Sequence, residues 1–236
     1  MSNIKKEILE FSFKNNLAHI PSALSMCDYL QVVFNYVKKE DNIIIGKPFG
    51  AQAYYIIWKK LGWINDIVSL HMGVKHDEIE FVDYSEETIG NALGVASGIQ
   101  LANKKKTYVN LSDAALQMGN TLEAIQFIGK HRQNIFVTID YNNSQVIGRC
   151  SEIIPIEPVF DFFEKNGWKL FFVHGNNVAQ LNSILQQNYN LSIPVVVVCY
   201  TTKGNGIPEM ENDIKKWHYR KLNEKDLESF LKQVQK

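Results

Sequence analysis

Two oxygen-bearing side chains follow buried, strand-like segments in the middle of the chain. Asp113 comes just after the apolar segment TYVNL (107–111), and Asn142 comes just after NIFVTID (134–140). A helix-like segment connects the two, so this stretch predicts a strand–helix–strand unit with parallel strands. Because open parallel sheets bind ligands beyond the carboxyl ends of their strands, we expect Asp113 and Asn142 to lie together at a ligand-binding edge.

Such a pair of side chains suits a hard divalent cation. Mg²⁺ and Ca²⁺ prefer oxygen ligands, and Mg²⁺ is commonly shared between protein oxygens and substrate phosphates. The Asp113 carboxylate, the Asn142 amide oxygen and a turn carbonyl near Ser144 are candidate ligands, and free N–H groups of the turn and helix start are candidate diphosphate donors. The alternative is structural, since an Asp after a strand often caps a helix and Asn-Asn often forms a turn. The segment alone leaves both interpretations open.

The composition narrows the class of protein. With 236 residues, 45% of them apolar, we expect one α/β domain over residues 1–236 with a substantial core. The 25 basic and 25 acidic residues cancel, which argues against nucleic acid or an anionic membrane as a partner. The apolar stretches are too short to span a bilayer, and no signal-peptide pattern opens the chain. Three widely spaced cysteines form no metal pattern and indicate a reducing, cytoplasmic location.

Hydrophobic periodicity predicts a three-layer α/β fold, a mostly parallel central sheet flanked by helices. The segment PVVVVCY predicts a strand at the centre of that sheet, and residues 73–87 are acidic and irregular, which predicts an exposed loop. Predicted helices cover residues 3–16, 23–38, 88–103, 156–166, 177–188 and 223 onward, and predicted strands include NIIIG, TYVNL, NIFVTID and LFFV.

Three glycines recur at spacing four within the predicted helix 88–103, at Gly90, Gly94 and Gly98. Glycine weakens helices, so three on one stripe indicate a steric need. Close approach of a neighbouring helix is the simplest interpretation, and a cofactor or a partner chain are the alternatives.

Five segments of the chain, taken in order, resemble the N-terminal, diphosphate-binding subunit of a split transketolase, a thiamine-diphosphate enzyme family. The family signatures that they resemble are Gly-His-Ile-Gly, Gly-Ser-Leu-Gly-Gln-Gly, Gly-Asp-Gly, Asp-x-Asn and a Lys-Gly-x-Gly loop followed by Trp-His. The corresponding segments here are NNLAHIPSALS, ETIGNALGVASGIQLA, SDAALQMGNTLEAI, DYNNSQVIG, and TTKGNGIPEMEN with KWH. The resemblance implies the thiamine-diphosphate-binding fold.

Roles for individual residues follow from the resemblance. The implied metal ligands, for Mg²⁺ or Ca²⁺, are the side chains of Asp113 and Asn142 and the backbone carbonyl of Ser144. Histidines without a family counterpart, His71, His131 and His174, are expected to be surface or structural residues. The implied cofactor contacts are Ser112, Asp113, Ala114, Asn142, Val146, Ile89, Gly90 and His218, and the implied catalytic or substrate-channel histidines are His19, His218 and His76.

The resemblance also implies an activity and an assembly. Members of this family move a two-carbon ketol (glycolaldehyde) unit from a ketose to an aldose, with sugars or sugar phosphates as substrates. The cofactor serves as electron sink, while imidazoles near neutral pKa handle the substrate hydroxyls. A separate C-terminal, pyrimidine-binding subunit is expected to complete the enzyme as a symmetric dimer of heterodimers, so we expect this chain alone to be inactive.

The chain departs from the family pattern at several positions. The family's Gly-Asp-Gly is here Ser112-Asp113-Ala114, and its Thr-Gly-Ser is here replaced by residues 86–88. A family histidine is replaced by Phe49, and a family glutamate is replaced by Met118. A positive φ at Ala114 would cost about 1 kcal/mol or more.

The departures leave two alternatives open beside a working transketolase: a non-catalytic subunit that stabilises or regulates a thiamine-diphosphate partner, and a related C–C lyase or ligase with a changed substrate. Donor, acceptor and pathway also stay open.

Overall fold

Six parallel strands form the central sheet of the protein. The computed structural model describes residues 3–65 and 73–234. The strand order across the sheet is β2-β1-β3-β4-β6-β5, and every neighbouring pair is parallel. The strands are β1 (Asn42–Gly46), β2 (Tyr84–Ser85), β3 (Thr107–Ser112), β4 (Ile135–Tyr141), β5 (Lys169–His174) and β6 (Val195–Tyr200).

Helices cover both faces of this sheet. Because side chains alternate along a strand, Ile43 and Ile45 of β1 pack into one core, whereas Ile44 packs into the other. One layer consists of α1 (Ile4–Lys14), α2 (Ile20–Val33), α3 (Ala51–Lys60), α8 (Val178–Asn188), α9 (Pro208–Asn212), α10 (Ile214–Trp217) and α11 (Glu224–Val234). The opposite layer contains α4 (Ala92–Asn103), a 3-10 helix (Asp113–Gln117), α5 (Gly119–Lys130) and α7 (Glu157–Lys165), and α6 (Cys150–Ile153) precedes α7.

The architecture confirms the predicted three-layer α/β fold. Strands β3 and β4 are direct neighbours, with Leu111 opposite Ile139 and Ser112 opposite Asp140. The two candidate ligand residues therefore follow adjacent carboxyl ends, as the strand–helix–strand pattern predicts. A short 3-10 helix, rather than a continuous α-helix, carries the chain from β3 to α5.

Three local predictions need correction. The second helix begins at Ile20, not near 23, because His19 takes a left-handed conformation (φ 58°) directly before it. Segment 73–87 is not simply an exposed loop, since it contains edge strand β2 and buries Glu86. The apolar strand PVVVVCY is an inner strand next to the edge strand β5, while β3 and β4 occupy the centre.

The structure also describes the state of the cysteines and the character of the helices with respect to membranes. Cys27, Cys150 and Cys199 are buried thiols. Within residues 3–65 and 73–234, none of the helices combines the length and apolar character needed to cross a bilayer.

Candidate functional site

Four neighbouring strands, β1, β3, β4 and β6, deliver polar side chains to one edge of the sheet. Lys47 and Asp113 directly follow β1 and β3, Asn142 directly follows β4, and Lys203 lies three residues beyond β6. All four line a cavity of about 550 Å³ at the carboxyl ends of the strands. This is the position at which open parallel sheets bind their ligands.

Asp113 is a buried carboxylate with an incomplete set of partners. Asp113 is only 2% exposed, and its Oδ1 accepts the backbone N–H of Ala114 at 2.8 Å. Oδ2 is buried and has no hydrogen-bond partner among the described residues. Burial raises the pKa of Asp113, and nearby Lys47 opposes that rise most strongly. Smaller opposing contributions to the pKa come from the N–H of Ala114 and from contacts with Cys150 and Asn143. A buried acceptor without a donor costs free energy, so this oxygen is suited to receive a cation.

Asn142 presents its amide in a defined orientation. The Nδ2 group donates to Ser25 Oγ and to Asp140 Oδ2, both at 3.0 Å. The oxygen, Oδ1, accepts the backbone N–H of Ser144 at 3.0 Å. An amide oxygen carries two lone pairs, so Oδ1 retains acceptor capacity for a further ligand.

The third candidate ligand is the backbone carbonyl of Ser144. Lys203 Nζ lies 3.4 Å from this oxygen and 3.3 Å from Nδ1 of His218. Carboxylate, amide and carbonyl oxygens together match the ligand preference of Mg²⁺ or Ca²⁺, so the residues present fit a hard cation. Lys203 carries a positive charge next to Ser144, so the same site can bind an anion beside the cation.

Cationic and imidazole groups surround the same cavity. Lys47 forms a buried ion pair with Asp140. Burial and the charge of Lys203 lower the pKa of Lys47 to about 7, whereas the charge of Asp113 opposes that fall. Burial also lowers the pKa of Lys203. Basic groups that are desolvated in this way gain from a multiply charged anion such as a diphosphate.

His19 and His218 face each other in the cavity. Their ring centroids are 4.9 Å apart in an edge-on arrangement, and His19 also stacks on Phe49 at 4.9 Å. Burial and the charge of Lys203 lower the pKa of each imidazole to about 4. Both rings are therefore neutral near pH 7. Nδ1 of His19 is buried and has no partner in the described part of the chain, which leaves it free for a ligand.

Most of the residues predicted from the sequence line this one cavity, and two do not. Gly90 is buried and donates its N–H to Glu86 at 3.2 Å, and His76 is exposed with its ring 5.8 Å from that of Tyr84. The predicted residues that line the cavity are His19, Ile89, Ser112, Asp113, Ala114, Asn142, Ser144, Val146 and His218.

The three histidines without a family counterpart lie elsewhere. His131 packs against Phe127, and His174 ends β5 beside Tyr200. His71 lies outside the described residues.

The departures from the family pattern have local structural explanations. Ala114 needs no positive φ, since non-glycine residues with positive φ in the described part of the chain are Asn16, His19, Lys104, Arg132 and Asn143. Glu86 is not an open cofactor contact, because its carboxylate accepts the N–H groups of Gly90, Asn91 and Ala92 at the start of α4. Met118 packs on Gly90, where an added Cβ would lie 2.9 Å from the Met118 side chain.

Sequence reasoning missed three charged residues of the site, Lys47, Asp140 and Lys203. Lys47 directly follows a strand, and Lys203 lies in the loop that follows another. This is the same positional signal that identified Asp113 and Asn142. Asp140 lies within β4, where its side chain is 0% exposed, so its position gave no such signal. It is, however, the first residue of the segment DYNNSQVIG that resembles the Asp-x-Asn signature.

Comparison with known proteins agrees with this geometry. Residues 92–234, more than half of the chain, match the family described as transketolase, thiamine diphosphate binding domain. The chain is 24% identical to an apulose-4-phosphate transketolase subunit of Phocaeicola vulgatus, covering 98% of this chain and 90% of that protein. It is 25% identical to 6-deoxy-6-sulfo-D-fructose transketolase subunit SqwG of a Clostridium species, covering 99% and 94% respectively.

A solved structure shares the fold. Transketolase from Campylobacter jejuni superposes with a TM-score of 0.83 at 20% identity, and the match covers 99% of this chain. The chain spans 42% of the length of that transketolase. The fold, the cavity at its carboxyl edge and the matched family lead to one assignment: the chain belongs to the transketolase thiamine-diphosphate-binding domain family.

Proposed function

We propose that this chain is the diphosphate-binding subunit of a transketolase-like transferase that moves a two-carbon ketol unit from a ketose to an aldose. One observation carries the proposal. The unpartnered, buried Oδ2 of Asp113 lies in the same cavity as Lys47 and Lys203. An acidic oxygen and two ammonium groups at one sheet edge suit a cation together with a diphosphate.

One set of groups in this chain would bind the metal ion, and another set would bind the diphosphate. Asp113, Asn142 and the carbonyl of Ser144 would hold Mg²⁺ or Ca²⁺. Lys203 and His218, with the backbone of Ser112 and Ala114, would hold the diphosphate. Thiamine diphosphate supplies the electron sink for breaking and forming the carbon–carbon bond when it is bound.

The two cavity histidines would act on the substrate. His19 and His218 are both neutral near pH 7, so each imidazole can accept a proton at one nitrogen and donate one at the other. That capacity suits the hydroxyl groups of a sugar, which lose a proton during cleavage and regain it during transfer. His76 lies outside the cavity lining, and its role in a substrate channel stays a prediction.

A partner subunit is part of the proposal. The related proteins from Phocaeicola vulgatus and Clostridium carry "subunit" in their names, which supports a separate, pyrimidine-binding partner for this chain. Helices α4 and α5 border an open groove that includes the exposed glycines Gly94 and Gly98. A Cβ at either glycine would meet nothing within 4 Å among the described residues. Packing inside this chain therefore does not explain them, and we assign the groove to subunit contact in a dimer of heterodimers.

Two alternative functions make different demands on the site. A non-catalytic scaffold gains nothing from the buried Oδ2 of Asp113, because the desolvation of that oxygen is not compensated by a hydrogen bond among the described residues. A thiamine-diphosphate lyase or ligase with a changed substrate has one observation in its favour. Phe49 covers a face of His19, so the wall beside that histidine is apolar where the family has a second imidazole.

The proposed activity is tested by reconstitution. The purified chain is assayed with and without a pyrimidine-binding companion subunit, with thiamine diphosphate, Mg²⁺, a ketose donor and an aldose acceptor. We expect ketol transfer only in the mixture. Turnover by the chain alone would overturn the two-subunit proposal. A mixture that binds the cofactor and cleaves a substrate without ketol transfer to an aldose would instead support the lyase or ligase alternative, and cofactor binding without any turnover would support the non-catalytic alternative.

A further inference from the structure

Asp140 is a fully buried carboxylate at the floor of the candidate site. Oδ1 and Oδ2 accept the hydroxyl of Ser25 at 2.9 and 3.0 Å, and Oδ1 also accepts the hydroxyl of Thr201. The ammonium of Lys47 and the amide of Asn142 complete the set on Oδ2. Burying a charge is costly unless it is paired and hydrogen-bonded, and Asp140 meets this condition with partners from four segments of the chain.

This carboxylate controls which atom of Asn142 faces the cavity. Nδ2 donates to both Asp140 and Ser25, so both of its hydrogens have acceptors. A flipped amide would place Nδ2 against the backbone N–H of Ser144, which now donates to Oδ1. It would also turn an oxygen toward the Asp140 carboxylate. Two repulsive contacts therefore oppose the flip, and the oxygen stays available to a cation.

The same carboxylate fixes the position of Lys47. Lys47 follows β1 and Asp140 lies on β4, and β3 separates these two strands in the sheet. The lysine side chain therefore crosses the end of β3, where Asp113 begins the next segment. Pairing with Asp140 keeps the ammonium near Asp113 without placing it on Oδ2 of Asp113, which stays unpartnered among the described residues.

We propose that Asp140 is the positioning residue of this site, acting through Asn142 to present an oxygen to the cation and through Lys47 to place positive charge beside the diphosphate. This inference rests on the proposed function for the identity of the ligand. Outer groups that orient metal ligands typically contribute about 10- to 100-fold to metal affinity. Ser25 shares the task, since its hydroxyl bridges Asp140 and Asn142.

The test measures binding of Mg²⁺ and inorganic diphosphate to the full chain by titration calorimetry. Asp140→Asn keeps the shape of the side chain but removes its charge, and we expect about 10- to 100-fold weaker Mg²⁺ affinity at saturating diphosphate. Ser25→Ala removes one acceptor of the Asn142 amide and one donor to Asp140 without changing any charge, and we expect about tenfold weaker Mg²⁺ affinity. Because Ser25→Ala leaves the Lys47–Asp140 ion pair in place, this variant still tests the proposal if Asp140→Asn does not fold.

A second readout separates positioning from general damage. Diphosphate binding without metal depends on the cationic groups, so Ser25→Ala should leave it within about twofold of the wild-type value, whereas a distorted fold would weaken it too. Thr138→Val is the matched control: Thr138 is equally buried on the same strand and bonds to Tyr108 and Asn110 instead. We expect its Mg²⁺ affinity to stay within about twofold.

The outcomes distinguish this inference from the proposed function. If the wild-type chain binds no Mg²⁺–diphosphate, the proposed function fails and the inference fails with it. If the wild type binds and both Asp140→Asn and Ser25→Ala bind equally well, only the positioning role is wrong. Equal losses in Thr138→Val, or in metal-free diphosphate binding by Ser25→Ala, would also overturn it.

Discussion

His19 occupies a constrained position in the cavity. It has φ of 58°, stacks on Phe49 and meets His218 and Tyr219 edge-on. These rings keep water from the imidazole, and burial is the larger cause of its low pKa, with the charge of Lys203 second. The environment of His19 therefore depends on a residue, Phe49, at which the chain departs from its family.

Removing the Phe49 ring should change the titration of His19. In Phe49→Ala we expect the pKa of His19 to rise from about 4 toward its ordinary value of 6.5, because water reaches the ring. NMR titration of the imidazole protons measures this shift. Phe127→Ala is the control, since Phe127 packs against His131 instead. An unchanged pKa of His19 in Phe49→Ala would show that the Phe49 ring is not what keeps water from the imidazole.

The two low imidazole pKa values also predict how stability depends on pH. His19 and His218 titrate at about 4 in the folded chain and at about 6.5 when unfolded. Their contribution to the free energy of unfolding is therefore fully present above pH 6.5 and is lost as the pH falls toward 4. We expect the melting temperature of the ligand-free chain to fall by several degrees between pH 7 and pH 4.5.

The comparison that isolates this effect is with His218→Asn. The raised pKa of Asp113 acts in the opposite direction, adding stability as the pH falls, but both proteins contain Asp113. Thermal unfolding followed by circular dichroism should show a smaller drop in the variant. An equal drop in the two proteins would assign the acid sensitivity to other groups.

The sequence identifies candidate ligands better than it identifies their partners. Asp113 and Asn142 are predictable because each directly follows a buried strand. The orientation of the Asn142 amide is not, because Asp140 and Ser25 set it, and Ser25 is 117 residues away in sequence from Asn142. Such pairings depend on the arrangement of helices over the sheet, which local patterns do not encode.

At the level of elements, helix α4 begins at a side-chain cap supplied from outside the helix. Glu86 accepts the N–H groups of Gly90, Asn91 and Ala92, which lie at the start of α4. We expect Glu86→Ala to lower the free energy of unfolding by about 1–3 kcal/mol, as measured by urea denaturation. The adjacent, exposed Glu87 provides the control, and Glu87→Ala should cost less than about 0.5 kcal/mol. Similar losses in both variants would contradict the capping role.

Element boundaries show where periodic patterns fail. The pattern of apolar residues predicts α1 and α8 closely, since each helix buries a single face. Helix α2 is buried nearly all round, so periodicity gives no sharp start and the left-handed His19 sets it. Strand β2 is missed because two residues, Tyr84 and Ser85, are too few to show alternation. The fold class was therefore predictable, whereas its irregular segments were not.

At the level of the whole molecule, the groove between α4 and α5 distinguishes an isolated chain from an assembled one. Gly94 is exposed within α4 and has open space where a Cβ would stand, as judged from the described residues. In Gly94→Ala we expect the isolated chain to gain about 0.5–1 kcal/mol of stability, because alanine is the better helix former. We expect assembly with the companion subunit to weaken, because the added methyl group enters the groove.

Analytical ultracentrifugation of the mixed subunits measures the assembly. Gln187→Ala places an exposed alanine on α8 in the opposite layer, and it should leave association unchanged. If Gly94→Ala associates with the companion subunit as strongly as the wild type does, the groove is not the subunit interface.

The most direct test of the site concerns Asp113 and the cofactor. Titration calorimetry with Mg²⁺ and thiamine diphosphate compares three assembled enzymes, in which the companion subunit is paired with the wild-type chain, with Asp113→Ala or with the exposed control Asp161→Ala on α7. We predict metal-dependent cofactor binding by the wild type and the control. We predict a loss of more than about 100-fold in Asp113→Ala. Its melting temperature should fall by no more than a few degrees, because Oδ2 has no partner to lose among the described residues and the hydrogen bond from the Ala114 N–H to Oδ1 is removed. Undiminished cofactor affinity in a folded Asp113→Ala chain would contradict the account.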